Sequence, residues 1–183
     1  MSNGRVISGF ARGIPREYNV YQVPQKDSRA RFDEAWEIVR RAWVEERFSF
    51  EGQFWKFKDV AIWPRPVQQP HPPVWVPISG SKDSIEFAAR FDAPITPGLG
   101  GHRGLREDIT RYYAGQLAAN GHQFTPDHLV IQASVYVADS KAQAVQEATP
   151  YTLYFNQTLF SHGNNTEETV QRSTGYVTPA AYD

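Results

Sequence analysis

The stretch Pro72-Pro73-Val74-Trp75-Val76-Pro77-Ile78-Ser79-Gly80-Ser81-Lys82-Asp83-Ser84-Ile85-Glu86-Phe87-Ala88-Ala89-Arg90 decides how the chain folds. Prolines precede a short apolar run with β-branched and aromatic residues, the pattern of a buried parallel strand. The small turn Ser79-Gly80-Ser81 follows, then a segment whose Ile85, Phe87, Ala88 and Ala89 suit a short packed helix. Strand, small turn and helix together turn free backbone N–H groups and the positive end of the helix dipole toward one point. Two readings fit: a phosphate site for a nucleotide-like cofactor, and an ordinary βα turn with a serine N-cap.

Working outward, the chain of 183 residues has room for one domain with a sizeable core. Its formal net charge of −1 gives no electrostatic footprint for nucleic acid or an anionic membrane surface. Without cysteine there are no disulfides or thiolate metal sites. No apolar run has the length of a membrane span and the start does not read as a signal peptide, so the expected location is the cytoplasm.

Before the deciding stretch, Arg5 to Ala11 reads as a strand whose far end is bracketed by Gly9 and Gly13. Residues 14–27, with Pro15, Pro24, Tyr18 and Tyr21, read as an irregular loop. From Ser28 to Glu46, Phe32, Ala35, Trp36, Val39, Ala42 and Trp43 form one helical face, capped by Ser28 or Asp27. Phe48 to Phe57 reads as a hairpin around Glu51-Gly52, and Asp59 to Pro73 as an extended proline-rich strap.

After it, Ala93 to Pro97 suits a brief strand. Gly98-Leu99-Gly100-Gly101-His102-Arg103-Gly104 lacks the glycine spacing of a dinucleotide fingerprint and reads as a loop. A helix is expected from Leu105 to Asn120, with Leu105, Ile109, Tyr112, Tyr113 and Leu117 inward and Asn120-Gly121 as its stop. Leu129 to Ala138 reads as a strand, and Ser140-Lys141-Ala142-Gln143 as the capping box of a helix running toward Leu159. Alternating β and α elements argue for a parallel sheet with helical cover, either a small open sheet or half of an eight-unit barrel.

The ordered set of these segments resembles the bacterial-luciferase-like flavin monooxygenases. Ser2-Asn3-Gly4-Arg5-Val6-Ile7 with Gly9 and Gly13-Ile14-Pro15-Arg16-Glu17-Tyr18 is similar to that family's fourth strand and following loop. Arg31-Phe32-Asp33-Glu34-Ala35-Trp36 resembles its next helix. Phe50-Glu51-Gly52-Gln53-Phe54-Trp55 and Pro64-Arg65-Pro66-Val67-Gln68-Gln69-Pro70-His71-Pro72-Pro73-Val74-Trp75-Val76 resemble its most recognisable run. Val137-Ala138-Asp139-Ser140 fits its seventh strand and helix, so the match runs in order to about Phe160.

The resemblance implies an α/β fold: a partial TIM (β/α)8 barrel, with parallel strands, helical cover and a β-hairpin insertion. Residues 1–183 would form an incomplete luciferase-like barrel domain, with the N-terminal strands and the last strand missing. It implies reduced FMN as cofactor, O2 and a small organic substrate as reactants, and a separate flavin reductase as partner. Deazaflavin F420 with hydride transfer is the alternative within the same fold. A third reading is a catalytically silent half-barrel that needs a homo-oligomer or a complementary half, because open sheet edges invite pairing.

By the same resemblance Ser79, Gly80 and Ser81 would hold the flavin phosphate and Ala11 and Arg12 would line the flavin. A surface ion pair is the other reading of Arg12. Pro77-Ile78 departs from the glycines many relatives carry there, and Phe32 stands where some have a tyrosine, which points Phe32 to the core. No catalytic residue is assigned. The five histidines (His71, His102, His122, His128, His162) show no metal-ligand spacing and no Ser/His/Asp set suggests a hydrolase. His102 and Arg103 have two readings, facing substrate or belonging to a loop. The substrate itself is not legible in these residues.

Overall fold

The structure is a computed structural model that describes residues 2–13, 15–78, 81–97, 103–132 and 135–154. In chain order the regular elements are β1 (Ser8–Gly9), α1 (Pro15–Val20), α2 (Ser28–Val44), β2 (Phe48–Glu51) and β3 (Lys56–Val60), then β4 (Val74–Ile78), α3 (Lys82–Arg90), β5 (Ile95–Pro97), α4 (Arg103–Ala119) and α5 (Lys141–Tyr154). Short 3₁₀ turns occupy Gln25–Asp27 and Pro126–His128. The main sheet has the order β1-β4-β5, all parallel, and a single parallel bridge joins Ile95 to Leu129 beyond β5. The antiparallel pair β2-β3 forms a separate hairpin. This is the alternating, helix-covered plan expected of consecutive barrel units.

The core lies between the sheet and its helices. Val74, Val76 and Ile78 alternate along β4 toward the helices, where Ile85, Phe87, Ala88 and Ala89 of α3 meet them. The two alanines are fully buried and let α3 lie close to α4, whose Ile109, Tyr113 and Leu117 complete the layer. Trp36 of α2 sits among the edges of Phe10, Phe87 and Phe91. Trp43, expected in the core, is half-buried and stacks on the His71 ring at 5.5 Å. Burial pushes the Tyr113 phenol well above its usual range, with the Asp92 charge adding to it, and its hydroxyl donates to the Ala93 carbonyl at 2.7 Å.

Both α3 and α4 stop in the same way. His122 N–H reaches Leu117 O and Gly121 N–H reaches Ala118 O, a Schellman end with Gly121 at positive φ, as Asn120-Gly121 foretold. In α3 the corresponding left-handed position is held by Asp92. Its carboxylate takes up the histidines that follow α4: His128 Nε2 at 3.1 Å and His122 Nδ1 at 3.6 Å. This cluster lies where strands begin, the end that serves stability in such sheets.

Four expectations are corrected, the first being the loop read over Gly98 to Gly104, because Arg103 and Gly104 already belong to α4. The loop expected over 14–27 contains helix α1 and a 3₁₀ turn, because Tyr21 and Val23 N–H groups bond back to Glu17 and Tyr18. Pairing in β1 is confined to Ser8–Gly9 rather than running from Arg5 to Ala11. Alongside Val6 the chain is the proline strap, which has few N–H donors. The Gln68 side-chain amide substitutes for a strand there, accepting from Val6 N–H at 3.2 Å and donating to Val6 O at 2.9 Å. The strand expected over Leu129–Ala138 is, among the described residues, the single bridge at Leu129. Val135 and Val137 are 80 % and 87 % exposed, so their β-branched side chains find no surface that would reward a longer ladder. Of the expected capping box at Ser140, one half forms: Gln143 N–H bonds to Ser140 Oγ at 3.2 Å, while the Gln143 side chain turns to Glu147.

The loop of the hairpin is held to α2 by the Glu34 carboxylate, and β2 by Arg41, which donates to the Ser49 carbonyl at 2.9 Å. Glu34 accepts the N–H groups of Gln53, Phe54 and Trp55 at 2.6, 3.0 and 3.3 Å, and Arg31 lies over the Phe54 ring. Burial alone would raise the Glu34 carboxyl, but those three donors and the Arg31 charge outweigh it and lower it. A Cβ at Gly52 would overlap this carboxylate and come within 2.6 Å of the Phe50 ring. Gly52→Ala is therefore expected to cost about 1–3 kcal/mol of stability by forcing the carboxylate off its donors, read as a lower urea midpoint. At the other end of α2, Arg65 donates to the Ala42, Trp43 and Glu45 carbonyls and so pins the proline strap to the helix C-terminus.

Candidate functional site

The ends of β1 and β4 and the start of α3 meet at one point. Beyond Phe10, whose N–H still reaches the Trp75 carbonyl, the Arg12 guanidinium crosses to α3, its Nη2 donating to Ser81 Oγ at 3.1 Å. The two residues are 69 positions apart in sequence. Arg12 is itself fixed from behind, because the Tyr18 hydroxyl of α1 donates to the Arg12 carbonyl at 2.8 Å. Gly13, between them, has φ +92°, a conformation other residues rarely adopt.

Ser81 is the N-cap of α3, yet its side chain makes no capping hydrogen bond. Its carbonyl accepts from Ser84 and Ile85, both at 3.2 Å, and its hydroxyl oxygen is occupied by Arg12. The hydroxyl proton is left to donate outward. The first-turn N–H groups of Lys82 and Asp83 point the same way as every helix start points its free donors. Lys82 is held to the side, its Nζ 5.6 Å above the Tyr112 ring, whose hydroxyl donates to Glu86 at 2.6 Å. That bond to Glu86, followed by burial, raises the Tyr112 phenol, which therefore stays a donor at neutral pH.

A further cation was not anticipated from the sequence. Arg29, in the first turn of α2, donates from Nη1 to the Asp83 carbonyl at 3.0 Å and from Nε to Asp33 at 2.9 Å. Its guanidinium carbon lies 5.9 and 5.8 Å from the Phe32 and Phe87 ring centres. Arg29 thus fastens the first turn of α3 to α2. The helical period of α2 marks Arg29 only as off the apolar face, and nothing local ties it to a turn 54 residues away. Phe32 packs edge-on against Phe87 at 4.9 Å, in the core as expected.

Of the expected site residues, Arg12 and Ser81 are brought together and Ala11 stands exposed beside them at the end of β1. Ser79 and Gly80 lie outside the described residues, as does His102. The donor set (a guanidinium, a hydroxyl and a helix start) matches a phosphate-sized anion, which accepts several charge-assisted hydrogen bonds at once. It is placed at the carboxyl end of parallel strands, where folds of this kind carry their sites. The residues present therefore fit the terminal phosphate of a flavin nucleotide.

Comparisons with known proteins bear on the same segments. The flavin-dependent trigonelline monooxygenase, oxygenase component, of Acinetobacter baylyi is 27 % identical over 164 residues, 85 % of this chain and 44 % of that protein. The FMNH(2)-dependent dimethylsulfone monooxygenase of Pseudomonas putida is 27 % identical over 142 residues, 76 % of this chain and 37 % of that protein. The chain thus spans less than half the length of these curated relatives. Among solved structures, the monooxygenase RslO1 from Streptomyces bottropensis superposes with a TM-score of 0.76 at 29 % identity, covering 98 % of this chain and 56 % of that one. The family described as "Luciferase-like monooxygenase" matches residues 1–181, nearly the whole length, and the chain belongs to that family.

Proposed function

We propose that this chain is the phosphate-holding portion of an FMN-dependent monooxygenase. A separate flavin reductase supplies the reduced FMN, and a small organic substrate receives an oxygen atom from O2. The Arg12–Ser81 contact at the start of α3 is the observation that carries this reading. The reduced flavin, when bound, supplies the electrons that activate oxygen. The residues of this chain bind and orient: Arg12, Ser81 and the first-turn amides of α3 grip the phosphate, with Ser79 and Gly80 assigned to the same grip. Tyr18 and Arg29 keep Arg12 and α3 in register. Ala11 borders the flavin at the end of β1.

A second reading keeps the site without turnover by this chain alone. Trp75 and Pro77 alternate away from the helices, and Pro77 is exposed on the face that a closed barrel would enclose. On that reading the remaining strands, from a complementary half or a second copy, complete the pocket. Anaerobic titration of the chain with reduced FMN and with reduced F420 tests the cofactor assignment. Saturable binding of reduced FMN with weak or no F420 binding is the expected result, and binding of F420 alone would replace FMN in the proposal. Failure of both ligands to bind overturns it.

A further inference from the structure

We infer that Thr96 sets the position of the flavin ring system, by offering its hydroxyl from an otherwise apolar row of the sheet. The inference rests on the flavin reading above and extends it from the phosphate to the ring.

The register supplies the row. β1 and β4 run in step, Ser8 beside Val74 and Gly9 beside Trp75, with the Phe10 N–H still reaching the Trp75 carbonyl at 3.1 Å. β4 and β5 also run in step, with Pro77 beside Thr96. Phe10 faces Trp36 and Trp43 of α2, and Val76 and Ile95 face the helical core. By the period of two along a strand, Pro77 and Thr96 therefore share the opposite face, that of the barrel interior. They lie at the carboxyl ends of two neighbouring strands, near the start of α3 where Arg12 and Ser81 meet.

In that pair the Pro77 pyrrolidine ring offers nothing polar, so Thr96 is the polar member. It is 9 % exposed, one of two buried polar residues among those described, and its hydroxyl has no hydrogen-bond partner there. Buried hydroxyls normally have one, because leaving a donor unpaired costs stability. The sealed and unpaired side-chain atoms among the described residues are Arg31 Nε and Trp36 Nε1, and the Thr96 hydroxyl is not among them. It keeps a path to the open face. A flat ring laid on Pro77 would come within reach of the neighbouring Thr96 hydroxyl, which can donate to and accept from its nitrogen and oxygen atoms.

Fluorescence titrations of the full chain with FMN and with riboflavin test this, because the two share the ring and differ in the phosphate. Thr96→Val, nearly the same shape without the hydroxyl, is expected to weaken both ligands equally, by about five- to tenfold. It should also shift the absorption bands of the bound flavin, while Thr96→Ser restores affinity and bands. Unchanged affinity and bands in Thr96→Val overturn the inference, as does a serine variant as weak as the valine one, which would assign the loss to packing. Arg12→Ala separates the two readings. If it weakens FMN while Thr96→Val changes neither ligand, the phosphate site stands and the Thr96 inference falls. If the unsubstituted chain binds neither ligand, both fall.

Discussion

Arg12→Ala weakens FMN binding by about 10- to 100-fold and leaves riboflavin within about twofold of the unsubstituted chain, the size of effect expected when one charge-assisted contact to a phosphate is removed. The argument starts from what Arg12 already does. Its guanidinium donates to Ser81 Oγ at 3.1 Å, at the start of α3. The Tyr18 hydroxyl reaches the Arg12 backbone carbonyl, so the backbone stays anchored when the side chain is truncated. The loss therefore tracks the phosphate and not the fold. Equilibrium titration with both ligands measures it, and equal weakening of FMN and riboflavin would point to a general disturbance of the site.

The largest expected loss of stability follows Phe87→Ala, at about 3–5 kcal/mol. Phe87 is 1 % exposed and its ring meets those of Phe32, Trp36 and Phe91 at 4.9, 5.5 and 5.1 Å. Arg29 lies against it from the α2 side. Truncation opens a cavity between α2 and α3 that three large rings cannot close by small shifts. Phe87→Leu keeps most of the volume and should cost less than about 1.5 kcal/mol. Urea unfolding of the three proteins gives the comparison directly, and similar midpoints for the alanine and leucine variants would refute the packing account.

The parts of this fold that were legible in the sequence are those fixed by local pattern. The helical period of α2, the alternation of Val74, Val76 and Ile78, the glycine stop at Gly121 and the turn at Glu51-Gly52 each state their structure within a few residues. The readings that failed depend on partners far along the chain. Helix α1 begins at a proline and is six residues long with a polar sequence, so it passes for a loop, and its Tyr18 hydroxyl finds a partner only at the Arg12 carbonyl outside the helix. Residues 129–132 and 135–138 have strand composition, but composition needs a neighbouring strand to become a ladder, and past Leu129 the described residues show none. The site divides the same way. The turn before α3 could be read as a phosphate turn or as an ordinary βα turn, and the ordered resemblance pointed to Arg12. Arg29, Tyr18 and Thr96 gained meaning only when the sheet register and the α2–α3 packing brought distant residues together.

The central claim, that an anion is held at the start of α3, is tested most directly by amide resonances of the isotopically labelled chain. On adding FMN, the account predicts that the backbone N–H signals of Ser81, Lys82 and Asp83 and the side-chain Nε of Arg12 shift most, and that riboflavin leaves those four nearly unmoved. Equal shifts with the two ligands, or changes centred instead on Asp92, His122 and His128 at the other end of the sheet, would contradict it.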